Sequence, residues 1–406
     1  MSISNFDVMT RSTTILMKLV AQYMKTSRDR SASSRADKIK SLSSVFSDYG
    51  GILSKVSQLV CMEDGEGTCY SDCKPFSSTK TTEFFKGLVS ADENGLFSIL
   101  KDVDYTIFKS GSIGQVYRAT LVEGDKAVVI KVRYYGIKEQ FDLDIRILRL
   151  ISDYLFNFFT DDSQSIVINK LYEELDYVRE TSQQKMLYKL WVDDGDILIP
   201  NVIDSLSNDV MVTSEYMEAI SLFDFIGNST QEERDVIGKL LIKFILVSLF
   251  KHGLFYCDIH YGNFIIKDRN KLCVVDFGSI VYMDNDTCDH LSALYTGLCV
   301  SDESSVIKAL RALDIIPVHD NQEYDKYAYE FFKLQFQPFL DDDFEFTDQW
   351  LDTVTKKDEV MMVHWNLPGK CAYLNRINHG LYHILSKLKT NIHKDDHTDI
   401  HSYFNR

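Results

Sequence analysis

Residues 258–278 read DIHYGNFIIKDRNKLCVVDFG and form the most informative pattern in the chain. Two apolar runs flank the polar turn DRNK, a pattern that predicts a β-hairpin. One side of this hairpin carries Asp258 and, five positions later, Asn263; Asp276 follows the other side, thirteen residues after Asn263. Because a hairpin brings its two ends together, we expect these two carboxylates and one amide to lie close to each other.

The spacing of these groups is typical of phosphoryl transfer. In that chemistry an Asp orients the acceptor, an Asn and a second Asp hold Mg2+, and a Lys neutralises the nucleotide phosphates. Lys131 lies in the strand pattern VVIKV, where alternation directs its ammonium group to one face. We therefore expect ATP and Mg2+ as ligands, with Asp258 as the acceptor-positioning group, Asn263 and Asp276 on the metal, and Lys131 on the phosphates.

The candidate phosphate loop is a small, flexible segment at the start of the first predicted strand, which covers residues 113–121. Such a segment brings backbone N–H groups against phosphate oxygens. Glu215 and Met217, at the end of the predicted strand 210–217, are further candidates for nucleotide binding. The loop consists of Ser110, Gly111, Ser112, Ile113, Gly114, Gln115 and Val116.

Each of these residues also has an ordinary structural explanation. Lys131 is equally compatible with a charge at a strand edge, Asp258 with a turn, Asn263 with a helix cap and Asp276 with the turn after a strand. Their order along the chain, with a strand before the lysine and a hairpin before the last carboxylate, favours the kinase-like interpretation.

Several segments together resemble the UbiB-like (aarF domain-containing) atypical kinase family. The acidic segment EELDYVRE, which begins at Glu173 on a predicted helix, lies about fifty residues beyond Lys131, farther than in conventional protein kinases. The resemblance extends from about Ser34 to Leu388. It is carried by SIGQVYRA from Ser112, DIHYGN from Asp258, DFG from Asp276, LPGKCAYLNRI from Leu367, and KVSQ from Lys55, which is similar to the family's KxGQ signature.

The resemblance implies an amino-terminal helical extension that carries Lys55 and Gln58. It also implies that Glu180 pairs with Lys131 and contributes to catalysis, and that Glu174 pairs with Lys55; a solvated helix face is the alternative for both glutamates. Two departures stand out, since Ser57 replaces the Gly of KxGQ and the usual alanine-rich turn reads KSG from Lys109.

The predicted fold is α+β, a bilobal protein-kinase-like fold with a small mixed β-sheet lobe, a larger helical lobe and an N-terminal helical extension. We expect a basic segment over 1–33, the extension over 34–104, the N-lobe over 105–217 and the C-lobe over 218–406. A helix in the larger lobe is expected to begin with a capping box, formed by Ser229 and Glu232 or by Thr230 and Glu233, and to end at Gly253.

Charge and cysteine usage limit the partners and the compartment. Lys and Arg number 44 against 60 Asp and Glu, a net charge of −16, which disfavours nucleic acid as a partner. Because Cys257 and Cys273 lie inside the motifs, a disulfide there would distort the site. We expect an intracellular, reducing compartment, with the cytoplasm favoured over mitochondria. The basic, Ser-rich segment 1–33 favours a solvated helix over a transit peptide, and peripheral contact with anionic lipid is a hypothesis.

Three functions remain open from the sequence. The favoured one is an ATPase or phosphotransferase acting on a small or lipid-related acceptor, because no Ala-Pro-Glu motif follows Gly278 and a helical pattern begins soon after it. The second is an ATP-binding regulatory module without turnover. The third is a conventional protein kinase that acts on other proteins.

Overall fold

The structure, a computed structural model, describes residues 78–92, 95–111, 113–142, 144–145, 172–318, 322–362 and 380–404. The helices include α1 (Ser78–Ser90), α2 (Tyr177–Trp191), α3 (Leu222–Gly227), α4 (Gln231–His252), α5 (Asn285–Cys299), α6 (Glu303–Ala312), α7 (Gln322–Phe336), α8 (Asp348–Met362) and α9 (His397–Phe404). The strands include β1 (Leu100–Ser110), β2 (Gly114–Leu121), β3 (Ala127–Arg133), β4 (Ile197–Leu198), β5 (Met211–Glu215), β6 (Ile220–Ser221), β7 (Leu254–Tyr256), β8 (Phe264–Lys267), β9 (Lys271–Val274), β10 (Ile280–Tyr282), β11 (Phe344–Glu345) and β12 (Asn391–Ile392).

The chain divides into two compact units. The first comprises Met1–Ser182 and Asn201–Tyr216, and the second comprises Gln183–Pro200 and Met217–Arg406. The mixed sheets and helices confirm the α+β, kinase-like fold expected from the sequence. The lobe boundary expected at 217 stays a prediction, and most of the expected extension, together with segment 1–33, lies outside the described residues.

The first unit contains an antiparallel sheet in the order β1-β2-β3-β5. One face of this sheet is apolar and packs under α1, where the ring of Phe85 stacks on Tyr117 at 4.7 Å. The Thr81 hydroxyl accepts the Tyr135 amide at 3.0 Å, which fixes the helix to the segment after β3. Lys131 points to the opposite face, because strand residues alternate and its neighbours Ile130 and Val132 are fully buried.

The second unit is built on α4, whose residues from Ile237 to Phe250 are largely buried. Thr230 forms the capping box with Glu233, so the second of the two expected pairs is the one present. Gly253 ends the helix in the left-handed conformation with φ 62°, as expected. Strands β8 and β9 form the predicted hairpin within a sheet of order β4-β9-β8-β6, and β7 pairs with β10.

Two expectations about local structure were wrong. The phosphate loop does not lie at the start of the first strand, because β1 runs up to Ser110 and the loop joins β1 to β2. The run 197–205, whose β-branched and apolar residues also predict a strand, forms only the short β4, and a 3-10 helix follows at Asp204–Leu206. Among the described residues, no helix is both long and apolar enough to cross a bilayer.

Candidate functional site

A partly buried ion pair joins β3 to the first turn of α2. Lys131 Nζ lies 2.6 Å from Glu180 Oε1, and the side chains keep 23% and 4% exposure. The ammonium also lies 5.4 Å from the centre of the Tyr177 ring, an additional favourable contact for a cation. The contact expected between Lys131 and Glu180 is therefore present, while their roles toward ATP stay predictions.

Backbone and side-chain hydrogen bonds close the phosphate loop. The Gly111 amide donates to the Gly114 carbonyl at 2.8 Å, and the Ile113 carbonyl accepts the Tyr134 amide at 2.9 Å. The Tyr134 hydroxyl donates to the Gly111 carbonyl at 3.1 Å, and burial raises the pKa of this phenol to about 12. Ser112 lies outside the described residues, whereas Ser110 is exposed at the end of β1.

Gly114 lies where the loop enters β2, at a position that admits no side chain. A Cβ there would lie 2.6 Å from the Val132 carbonyl oxygen, and it would also collide with the Tyr177 hydroxyl. The next residue, Gln115, is fully buried and donates to Thr82 Oγ1 at 3.1 Å, so its side chain holds α1 instead of facing a ligand. Val116, one step further, is half-buried on the face that carries Lys131.

In the second unit, the turn from Asp258 to Asn263 is fixed by its own polar groups. The Asn263 amide nitrogen donates to the Asp258 carbonyl at 2.9 Å and to Asp258 Oδ2 at 3.0 Å. His260 Nδ1 accepts the Gly262 amide at 2.8 Å, and the Gly262 position is too close to this ring for a Cβ. Because the amide nitrogen is engaged, Asn263 Oδ1 is the atom of that side chain suited to a metal ion.

The β8–β9 hairpin returns Asp276 to the same region of the second unit. The Val275 amide donates to the Asn263 carbonyl at 3.0 Å, so the residue before Asp276 is bonded directly to the predicted metal ligand. The Asp276 carbonyl accepts the Tyr256 hydroxyl at 2.9 Å, and Asp276 Oδ1 accepts the Gly278 amide at 3.1 Å. These bonds hold the backbone and the carboxylate in a defined orientation.

Two contacts that support this turn were not predicted from the sequence. At Gly380 a Cβ would lie 2.7 Å from the Ile259 carbonyl oxygen, so the backbone of the helical segment 380–388 lies directly against the turn 258–263. The His383 ring meets the Tyr261 ring edge-on at 5.9 Å. Burial lowers the pKa of His383, and it raises the pKa of Tyr261 above its usual range.

The remaining predicted site residues are placed as follows. Glu215 is exposed at the end of β5, and Met217 is half-buried. Glu174 is half-buried in the segment before α2, but Lys55 and Gln58 lie outside the described residues, so the pairing of Glu174 with Lys55 stays a prediction.

The donor set in the second unit fits a magnesium ion that is shared with phosphate. Within the part of the chain that the structure describes, no group of three or more His, Cys, Asp or Glu side chains is arranged to hold a metal by itself. Mg2+ is usually bound by one or two protein oxygens together with substrate phosphates and water. Asn263 and Asp276 supply hard oxygen atoms of this kind, and their role as metal ligands stays a prediction.

Comparison with known proteins identifies the family. The family model of the ABC1 atypical kinase-like domain matches residues 69–310, more than half of the chain. The chain belongs to the ABC1 atypical kinase-like family. This confirms the UbiB-like resemblance inferred from the motifs.

Individual members of the ABC1 family show the same relationship. The Arabidopsis thaliana protein ACTIVITY OF BC1 COMPLEX KINASE 3, chloroplastic, is 30% identical over 192 residues, 45% of this chain and 27% of that protein. The Danio rerio atypical kinase COQ8B, mitochondrial, is 26% identical over 299 residues, 71% of this chain and 48% of that protein. The matches cover only 27%, 29% and 43% of three Arabidopsis relatives, so the chain spans less than half of their length.

A solved structure supports the fold. Rv3197 of Mycobacterium tuberculosis, solved as a complex with erythromycin, matches with a TM-score of 0.65 over 95% of this chain and 96% of that chain. The sequence identity is 20%, so this likeness concerns the fold alone.

Proposed function

We propose that this ABC1-family chain binds Mg-ATP and transfers its terminal phosphoryl group to water or to a small or lipid-related acceptor. The proposal rests on the hydrogen bond between the side chains of Asn263 and Asp258. The Asn263 carbonyl also accepts a hydrogen bond from the amide of the residue before Asp276. A carboxylate, an amide oxygen and a second carboxylate are the groups that acceptor positioning and metal binding require.

Each predicted residue has a separate task in this proposal. The carboxylate of Asp258 orients the acceptor hydroxyl or water and accepts its proton, while Asn263 and Asp276 hold the metal. Lys131, held by Glu180, neutralises phosphate charge, and amides of the loop from Ser110 to Val116 contact phosphate oxygens, except that of Gly111, which donates to the Gly114 carbonyl. Bound Mg2+ supplies charge stabilisation on the phosphates. Glu215 and Met217 are proposed to contact the base through their backbone.

The path of the chain after Gly278 supports a small acceptor. Residues Ile280 to Tyr282 pair at once with β7, and α5 begins at Asn285. Conventional protein kinases use a longer segment at this point to dock a peptide. The short connection leaves little backbone for that purpose, which favours water, a small molecule or a lipid-related molecule as the acceptor.

The thiols of the chain support a reducing compartment, which we also propose. Of the cysteines described, Cys273 and Cys299 are free thiols. Burial raises the pKa of the Cys273 thiol to about 11, so this side chain behaves as an inert core residue.

Turnover of ATP by the purified chain tests the proposal. ADP formation is measured with Mg2+, with and without lipid vesicles, for the wild type and for Asp258→Asn. We expect the variant to lose about a hundredfold in kcat or more, because it cannot accept a proton. The control is Asp268→Asn, the same change at an exposed position in the hairpin turn, which should stay within about twofold of the wild type.

The possible outcomes separate the candidate functions. Turnover that is lost in Asp258→Asn but kept in Asp268→Asn supports an enzyme. Binding of Mg-ATP without any turnover contradicts the proposal and favours the regulatory module. Equal turnover in the wild type and Asp258→Asn contradicts the role of Asp258.

A further inference from the structure

The strand β1 has an irregular pairing just before the phosphate loop. Asp104 pairs with Arg118 and Lys109 pairs with Val116, so the four residues 105–108 of β1 lie opposite Tyr117 alone. Extra residues of this kind form a bulge, which redirects side chains and is common beside active sites. The last residue of the bulge is Phe108, three positions before Gly111.

Arg118 connects this bulge to the end of β5. Its guanidinium carbon lies 3.8 Å from the centre of the Phe108 ring and 4.8 Å from the centre of the Tyr216 ring. An Nη2 donor also reaches the Tyr216 hydroxyl at 3.1 Å, and the two rings meet edge-on at 5.9 Å. One cation thus holds an aromatic residue of β1 to an aromatic residue that follows β5.

The cluster of Phe108, Arg118 and Tyr216 lies on the face of the sheet that carries Lys131. Val116 pairs with Lys131 and Arg118 pairs with Val129, so Arg118 is two positions further along the same face. Two residues of a strand span about 7 Å. The opposite face is occupied by the apolar core that contains Tyr117. The cluster therefore lies about 7 Å along the sheet from the lysine that is proposed to bind phosphate. It also adjoins the stem of the phosphate loop, which is the end of β1 next to Ser110.

We propose that Arg118 is a positioning residue that fixes the stem of the phosphate loop, through Phe108, to the end of β5 and thereby sets the affinity for nucleotide. The inference rests on the proposed function, since it concerns the same nucleotide. Arginine suits this task because its planar group stacks on rings and donates hydrogen bonds at the same time, which lysine does not. Phe108 is 45% exposed, so the cation holds in place a ring that core packing does not bury.

A purely structural role for Arg118 gives a different result. Loss of a surface contact between strands lowers the melting temperature but leaves the nucleotide affinity unchanged at temperatures where the chain is folded. Nucleotide affinity is therefore the decisive quantity, and thermal stability is the parallel control.

The test uses the full chain with Mg2+ and a fluorescent N-methylanthraniloyl ATP analogue, with binding followed by anisotropy at about 15 °C. We expect Arg118→Met to bind about tenfold more weakly, because two cation–π contacts and a hydrogen bond are lost. Arg118→Lys keeps the charge and should still bind several-fold more weakly. The control Lys126→Met removes an exposed cation from the turn between β2 and β3 and should bind like the wild type.

Each outcome has a defined meaning. Wild-type affinity in a folded Arg118→Met overturns this inference while leaving the proposed function intact. A wild-type chain that does not bind the analogue overturns both. If circular dichroism shows that Arg118→Met is unfolded, Phe108→Leu replaces it, since this change keeps an apolar side chain and removes the ring. Weaker binding by a folded Phe108→Leu supports the inference, and unchanged binding overturns it.

Discussion

The amide nitrogen of Asn263 donates to both the carbonyl and the carboxylate of Asp258, at 2.9 and 3.0 Å. Hydrogen bonds to a carboxylate stabilise its charged form. This hydrogen bond therefore orients the Asp258 carboxylate and, at the same time, leaves the Asn263 amide oxygen to face other ligands. One contact thus prepares both the proposed base and the proposed metal ligand.

Replacing Asn263 with Asp tests that relationship. The change keeps the side-chain size but removes both donors and places a second carboxylate beside Asp258, which favours protonation of the pair. We expect the acidic limb of the pH–rate profile to move to higher pH and kcat to fall at least about tenfold. Asn270→Asp, in the exposed hairpin turn, is the matched control. An unmoved profile in Asn263→Asp contradicts the proposed role.

Because Lys131 and Glu180 form an ion pair, we expect the effects of substitutions at the two positions on the free energy of unfolding to be strongly non-additive. Lys131→Met leaves the Glu180 carboxylate, 4% exposed, without its cation, and should cost about 2–3 kcal/mol of unfolding free energy. The double variant Lys131→Met/Glu180→Gln removes both charges and should recover most of this loss. Urea unfolding of the two single variants and the double variant measures the coupling. Additive effects indicate that the ion pair contributes little in solution.

Two glycine substitutions of opposite expected sign test the packing of the first unit. Gly114→Ala places a Cβ 2.6 Å from the Val132 carbonyl oxygen and should destabilise the chain by about 2 kcal/mol or more. Gly87→Ala, inside α1, meets no atom within 4 Å and should stabilise it by about 0.5–1 kcal/mol. Thermal unfolding of both variants is the measurement. Equal stability of Gly114→Ala and the wild type rules out the close approach of Tyr177 and Val132 to this glycine.

His383, beside the turn 258–263, is expected to make the chain less stable in mild acid. Burial lowers the pKa of His383, with Lys387 adding to the effect and Asp348 opposing it. Because the folded pKa lies below the unfolded value of 6.5, the unfolded state binds more protons as the pH falls, and stability present above pH 6.5 is lost below it. We expect the melting temperature to fall between about pH 7 and pH 5. His383→Gln should reduce that slope, and an identical slope in the variant contradicts the assignment.

Contacts among the candidate site residues could be predicted from the sequence, whereas the packing that holds the turn 258–263 in place could not. The hairpin after Asn263 was evident because two apolar runs enclose a polar turn, and the contact between Lys131 and Glu180 was found by the resemblance, since the two residues lie 49 positions apart. The close approach of Gly380 to Ile259 leaves no local signal, because it is a contact between distant parts of the chain. Only the packed structure reveals why that position is glycine.

Local ambiguity explains the other differences. Both candidate capping boxes have the required spacing, and the choice of Thr230 depends on where the helix axis begins. Strand β1 was missed because its alternating apolar run, from Val103 to Ile107, is short: the positive φ of Asp102, 51°, precedes it and the bulge at 105–108 ends it. The same bulge places Phe108 against Arg118, and this contact is the one proposed to position the phosphate loop.

Binding of one Mg-ATP is proposed to require both Lys131 and Asp276. Calorimetric titration of the purified chain with ATP, in the presence of Mg2+ and again in EDTA, tests it most directly. We predict one ATP per chain, dependence on Mg2+, and at least about tenfold weaker binding in both Lys131→Met and Asp276→Asn. Unchanged Mg-dependent affinity in either folded variant contradicts it.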